Sequence, residues 1–318
     1  MKLITLKNIT DKLRKYKKYE PPQPKNKDLP PTYNIILSSS PKGGGKSYNC
    51  IQLLTNYEES GFVDEKGNDV QMRIIWISGG TSHSKQNSIL DSLKYLHEND
   101  RVDLEEDIDE RMNDIYNEIK AERDTIVAYN IYREIYGKFL NKKLTLLEDD
   151  ELMLLKFKNY INPNEDPDVP KDLDGNILYQ PRMVFMVLDD MISTDAFGIK
   201  KKNFFNKICV KSRHDSEELC PINLFFITQS FKAVPALIRK QTDVFVLLKS
   251  ASRSYIIDAI SEEVGSHFSK EEIQKYYDAI MDIPYGSLIL SIHKKEDEKN
   301  RIRMGWSSII EREKIEDK

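Results

Sequence analysis

Lys46 and Ser47 are the first residues in this chain whose types and setting could do chemistry. They follow the small-residue run Ser40-Pro41-Lys42-Gly43-Gly44-Gly45. Consecutive glycines let a loop curl until several backbone N–H groups point at one anion, and a following helix adds the positive end of its dipole. A lysine there reaches the β- and γ-phosphates of a nucleotide, and the next hydroxyl is offered to Mg²⁺. The pattern G-x-x-x-x-G-K-[ST] is met except at its first position, where Ser40 stands in place of glycine. ATP is therefore expected on Ser40, Pro41, Lys42, Gly43, Gly44, Gly45, Lys46, Ser47 and Tyr48. The competing reading is a glycine-rich turn beside a chance Lys-Ser pair.

A second group of residues with a role to play is Asp189-Asp190, at the end of the apolar run Met183–Leu188. A buried strand that ends in two acids can deliver them to a phosphate site. Asp189 is then the Mg²⁺ holder, directly or through water, and Asp190 the group that orients and deprotonates the attacking water. The plainer alternative is a strand that ends in a turn with two exposed acids. Gln229, at the end of the apolar run 222–227, is placed to sense the γ-phosphate.

These residues need elements to hold them. Ile35, Ile36 and Leu37 form a short apolar run before the glycine loop, and Ile51, Leu53 and Leu54 recur at helical spacing after it. The local reading is strand, loop, helix, with the helix ending near Ser60. Further β-branched or aromatic runs at 72–78, 183–190, 222–227, 243–248 and 287–292 read as buried strands. The stretch from about 88 to 158 is charged and helical in pattern, and 162–180 is rich in Pro, Asp and Asn and reads as loop. The acidic cluster Glu105-Glu106-Asp107, with Asp109 and Glu110, reads as a solvated face in preference to a metal site. The fold class is α/β, a mostly parallel central sheet flanked by helices, with a helical insertion at about 88–180.

The divisions expected are a basic arm and Pro-rich linker over 1–30, a phosphate-loop domain over 31–295, and a charged tail over 296–318, with Trp306 and Ile309-Ile310 docking back. The arm can touch DNA or be a solvated leader. The basic stretch 197–214, with Lys200, Lys201 and Lys202, can face DNA or solvent.

Composition narrows the classes. The 318 residues are 39% hydrophobic and 31% charged with a formal net charge of −4, so nothing global draws the chain to nucleic acid. Cys50, Cys209 and Cys220 lack metal-ligand spacing, and no apolar run approaches membrane-spanning length. A soluble, intracellular protein in a reducing compartment is expected.

Taken together, five motifs in order resemble the viral DNA-packaging ATPases of the FtsK–HerA superfamily. They are SPKGGGKS (40–47), VLDDM (187–191), SRH (212–214), FFITQS (225–230) and the P-x-x-I-R-x-x-x-D run from Pro235 to Asp243. The resemblance covers about 33–250, apart from the insertion. It implies a RecA-like ATPase core of the ASCE type, assembled as a homo-oligomeric ring, a hexamer, that hydrolyses ATP with Mg²⁺ and pumps double-stranded DNA into a capsid. A capsid or portal component is the implied partner, with no membrane, and the host-cell cytoplasm at a virus factory, or the virion, is the implied location. Arg213 matches the arginine that such motors insert into a neighbour's site, and Arg239 is the second candidate. The chain departs from the family at Ser40 and at Asp190, where many members carry Glu. Another DNA pump or helicase, a small-molecule kinase and a hydrolysis-deficient nucleotide binder are the alternatives.

Overall fold

The computed structural model describes residues 21–79, 89–103, 108–141, 148–191, 208–209, 222–250, 252–280, 282–294 and 296–311. The apolar runs become strands because every position along them is covered, as befits a sheet with helices on both faces. Strand β1 is Gln23–Pro24, β2 Ile35–Ser39, β3 Phe62–Val63, β4 Asp69–Val70, β5 Met72–Ser78 and β6 Arg101–Asp103. Then follow β7 (Met183–Asp189), β8 (Ile222–Thr228), β9 (Val244–Leu248), β10 (Ser287–Ser291), β11 (Ile302–Met304) and β12 (Ser308–Ile309). The helices are α1 (Lys46–Ser60), α2 (Ile108–Leu140), α3 (Asp149–Phe157), α4 (Ala236–Gln241), α5 (Arg253–Val264) and α6 (Lys270–Ile280).

Nine strands form the main sheet in the order β12-β11-β10-β9-β2-β8-β7-β5-β6. From β9 to β6 neighbouring strands run parallel, and β10, β11 and β12 add an antiparallel margin. The glycine-loop strand β2 thus has β8 on one side and β9 on the other. As expected of the ASCE arrangement, β8 intervenes between it and the acidic strand β7.

Alternating residues of each strand face two separate apolar layers. Ile36, Ile74, Phe185, Phe225 and Val246 pack with α1 residues Cys50, Leu53, Leu54 and Tyr57. Leu37, Ile75, Met186, Phe226 and Leu247 pack with the first turns of α2 and with α5 and α6. The far half of α2 leaves the sheet and makes a small cluster of its own with Leu155 of α3 and Val169. Arg73, the lone charge within β5, ties α2 to the sheet through Glu118 (2.7 Å) and the turn before β6 through Asp100 (2.6 Å). Its guanidinium is held strongly protonated by those carboxylates against the cost of burial.

Two side chains pin the start of β2. Asn223 Oδ1 accepts from the N–H groups of Tyr33 (2.6 Å) and Asn34 (3.3 Å). On the other flank Asp243 Oδ2 accepts from Ile35 N–H at 3.0 Å, and the Asp243 N–H donates to the Ile35 carbonyl at 2.8 Å. The acid that closes the Pro235–Asp243 motif therefore fixes register, and through it the height of the glycine loop.

Both ends of the described chain are part of this body. From Gln23 the Pro-rich segment pairs with β3, and Pro30 accepts from the buried Tyr57 hydroxyl at 2.8 Å. Residues 302–309, read from sequence as tail, extend the sheet as β11 and β12, and Trp306 docks back as expected, buried against α1. The arm before residue 21, Glu105-Glu106-Asp107 and the lysines at 200–202 lie outside the described residues. Among the described residues no helix is long and apolar enough to cross a membrane.

Candidate active site

The glycine loop hangs between the end of β2 and the start of α1, at the carboxyl ends of the parallel strands, where open α/β sheets place their ligands. Gly43 and Gly45 have φ of 81° and 88°, a backbone region that side chains rarely enter. Gly45 is also the N-cap of α1, with no side-chain cap and no acid in the first turn. The first N–H groups of the helix are thus left for an anion.

Gly44 has a different reason to be glycine. A Cβ on it would lie 1.8 Å from Ser40 Oγ. Ser40 is fully buried, and its hydroxyl lies 3.3 Å from the Pro41 carbonyl, so it fills the space that Gly44 leaves. The serine that departs from the usual pattern and the middle glycine form one fitted pair.

Lys46 folds back over the loop, donating to the carbonyls of Ser40 (2.6 Å) and Pro41 (3.0 Å). Burial pushes its ammonium pKa down, and the nearby Asp189 and Asp190 carboxylates oppose that shift. Opposite it, Ser47 Oγ donates to Asp189 Oδ2 at 3.2 Å, joining residues 142 apart in sequence. A hydroxyl and a carboxylate side by side are the hard oxygen donors that Mg²⁺ prefers. The donor set therefore fits that ion, and Ser47 and Asp189 are the residues that would hold it.

Asp190 is exposed and sits at φ 55°, a left-handed conformation that Asp tolerates better than most residues. The turn is fixed by its N–H, which donates to the Ile227 carbonyl at 3.0 Å, and by the Gly79 N–H, which donates to the Asp189 carbonyl at 3.0 Å. Its carboxylate accepts from Gln229 Nε2 at 2.6 Å. Backbone strain of this kind gathers at functional sites. The tips of β2, β7 and β8 thus bring Lys46, Ser47, Asp189, Asp190 and Gln229 together, as the residue types imply.

Arg239 lies elsewhere in its bonding. Its guanidinium is engaged within its own chain by Glu263 (2.9 Å) and the Val234 carbonyl (2.8 Å), and lies over the Phe231 ring. Arg213 lies outside the described residues. Tyr48, the residue after Ser47, is largely exposed on the first turn of α1.

Sequence reasoning missed the support behind the loop. Trp306 Nε1 donates to the Asn49 carbonyl (2.8 Å) and to its Oδ1 (3.0 Å), and Asn49 Nδ2 donates to Ser287 Oγ at 2.9 Å. An asparagine on an otherwise apolar helix face was the available signal.

Among solved structures the chain is similar to the genome packaging NTPase B204 from Sulfolobus turreted icosahedral virus 2. Identity is 11% over 87% of this chain and 98% of that one, with a TM-score of 0.44. It is similar too to B204, the DNA-packaging ATPase from Sulfolobus turreted icosahedral virus (12%, 86% and 97%, 0.45), and to ATPases 2 and 3 of EssC from Geobacillus thermodenitrificans (13%, 89% and 40%, 0.41). These are distant likenesses. No family model and no curated protein matches the chain, and the roles assigned to residues here rest on its own geometry.

Proposed function

We propose that the chain is an ATP-hydrolysing motor that moves double-stranded DNA into a viral capsid, working as a homo-oligomeric ring. The observation that carries the ATPase reading is the pairing of Ser47 with Asp189 beside that of Asp190 with Gln229, on the same rim as the glycine loop. DNA as the cargo, the ring and a capsid or portal partner rest on the order of the five motifs.

In this reading the loop N–H groups and the α1 N-terminus hold the β-phosphate, and Lys46 exchanges its carbonyl partners for phosphate oxygens. Ser47 and Asp189 would hold Mg²⁺, which when bound would supply positive charge against the phosphates. Asp190 accepts the proton of the attacking water, and Gln229 holds its carboxylate in place until a γ-phosphate competes for the amide. Arg213 remains the first candidate for the residue supplied to a neighbouring subunit. For Arg239 to act so, it must first leave Glu263.

The test is the steady-state ATPase rate of the purified protein with and without linear duplex DNA at two salt concentrations. Stimulation that fades as salt rises is expected, because phosphate contacts release counterions; a rate indifferent to DNA speaks against the motor. Lys46→Ala serves as the control. Losing one or two charge-assisted hydrogen bonds, each contributing about 1.5–3 kcal/mol, weakens ATP binding by roughly 10-fold or more. Normal affinity in that variant removes the phosphate-loop assignment.

A further inference from the structure

Tyr285 is an exposed aromatic residue held in a costly conformation beside the phosphate loop. It is 71% exposed, and its φ is 56°, where a bulky side chain is an outlier. The turn that holds it is tight. The Gly286 N–H donates to the Ile283 carbonyl at 3.0 Å, and a Cβ on Gly286 would meet the Ile280 carbonyl at 2.8 Å. The outcome of that turn is the position of the ring. Tyr285 Cδ1 lies 3.2 Å from where a Cβ on Gly45 would stand, with Leu248 Cδ2 at 3.7 Å.

The sheet gives this position a direction. Asp189, Asp190 and Gln229 stand at the tips of β7 and β8, on one flank of β2. Leu248 ends β9 on the other flank and pairs with Ser287, the first residue of β10, so Tyr285 lies on the same rim on the side away from the acids. A triphosphate seated on the loop with its terminal phosphate toward the acids must lead its other end toward β9 and β10. Tyr285 meets it there.

We propose that the Tyr285 ring is the platform on which the nucleobase of the bound nucleotide stacks, with Leu248 at its edge. This deepens the ATPase reading and rests on it. Stacking is tolerant of base identity because every base has a π-face, so the ring contributes affinity for nucleotides over inorganic phosphates more than choice among nucleotides.

The experiment is calorimetric titration of the full-length chain with ATP and with inorganic tripolyphosphate, both in Mg²⁺, for the native protein, Tyr285→Ala and Tyr285→Phe. Tyr285→Ala is expected to weaken ATP by ~5- to 150-fold and to leave tripolyphosphate unchanged, while Tyr285→Phe keeps both. In Tyr285→Trp, ATP is expected to quench the new indole emission and tripolyphosphate to leave it alone. An unchanged ATP to tripolyphosphate ratio in Tyr285→Ala, whether both ligands hold or both weaken, overturns the platform and leaves the ATPase reading standing. Failure of the native protein to bind either ligand overturns the ATPase reading and the platform with it.

Discussion

The bond from Gln229 to Asp190 sets what each of these residues can do. A carboxylate that is exposed, set at φ 55° and held by the Gln229 amide stays aimed, which is what a base for water needs. Asp190→Asn is expected to bind ATP normally and to lose about 10²- to 10⁴-fold in turnover, the usual worth of a general base. Equilibrium binding and single-turnover hydrolysis measured on one preparation check both halves. At the same scale, Ser40 and Gly44 predict a rescue. Gly44→Ala drives a Cβ into Ser40 Oγ, displaces the loop and costs about 10²-fold in turnover. Adding Ser40→Gly removes the obstruction and is expected to restore most of that loss. Rates for the two single variants and the double variant decide it, and additive damage would refute the fit. The placing of Lys46, Ser47, Asp189 and Asp190 on one rim was legible in the sequence, because a glycine loop after one apolar run and a pair of acids at the end of another both fall at strand tips. The fit of Ser40 under Gly44 was not, since it depends on a side chain turning inward, which spacing does not record.

At the level of elements, the parallel strands were legible because a strand covered on both faces is written as an unbroken apolar run. The shorter strands β6, β11 and β12 were not, because they are only two or three residues long and two of them carry charges, Arg101 and Arg303, that break the apolar pattern. That margin has a task. It carries Trp306 to the first turn of α1, where the indole N–H bonds to Asn49 and Asn49 bonds to Ser287 at the head of β10. The helix that begins with Lys46 and Ser47 is thereby held at its base by the head of β10 and by the turn between β11 and β12. Trp306→Phe keeps the apolar contact and loses the donor. It is expected to cost about 1–2 kcal/mol in urea unfolding. The variant is also expected to weaken ATP binding, because the first turn of α1 is less firmly placed. Unchanged stability with unchanged affinity would show that the indole N–H contributes nothing to the loop.

Across the whole molecule, the segment that enters the described fold and the strands that leave it meet at one buried ion pair. Arg303 and Glu296 have side chains 1% exposed, their nearest atoms lie 2.5 Å apart, and Arg303 also donates to the Asp28 carbonyl of the entering segment. Burial raises the Glu296 carboxyl above its ordinary range in spite of the opposing arginine. A folded-state pKa above the unfolded one means that the folded chain holds that proton more tightly. The contribution of Glu296 to stability is therefore complete below the ordinary carboxylate pKa and declines as pH rises through the folded value. Arg303→Met keeps much of the bulk of the side chain and removes both the charge and the hydrogen bond by which Arg303 favours the ionised acid. The variant is expected to lose about 3–5 kcal/mol near neutral pH, where it strands an unpaired carboxylate, and markedly less at a mildly acidic pH, where the raised pKa favours uptake of a proton by Glu296. Adding Glu296→Gln to Arg303→Met is expected to recover much of the loss at neutral pH and to flatten the difference between the two conditions. Urea unfolding of the native chain and both variants at the two pH values measures this. A loss in Arg303→Met that is equal at both would mean that the carboxylate reaches water and that its burial does not set the pH dependence of the join.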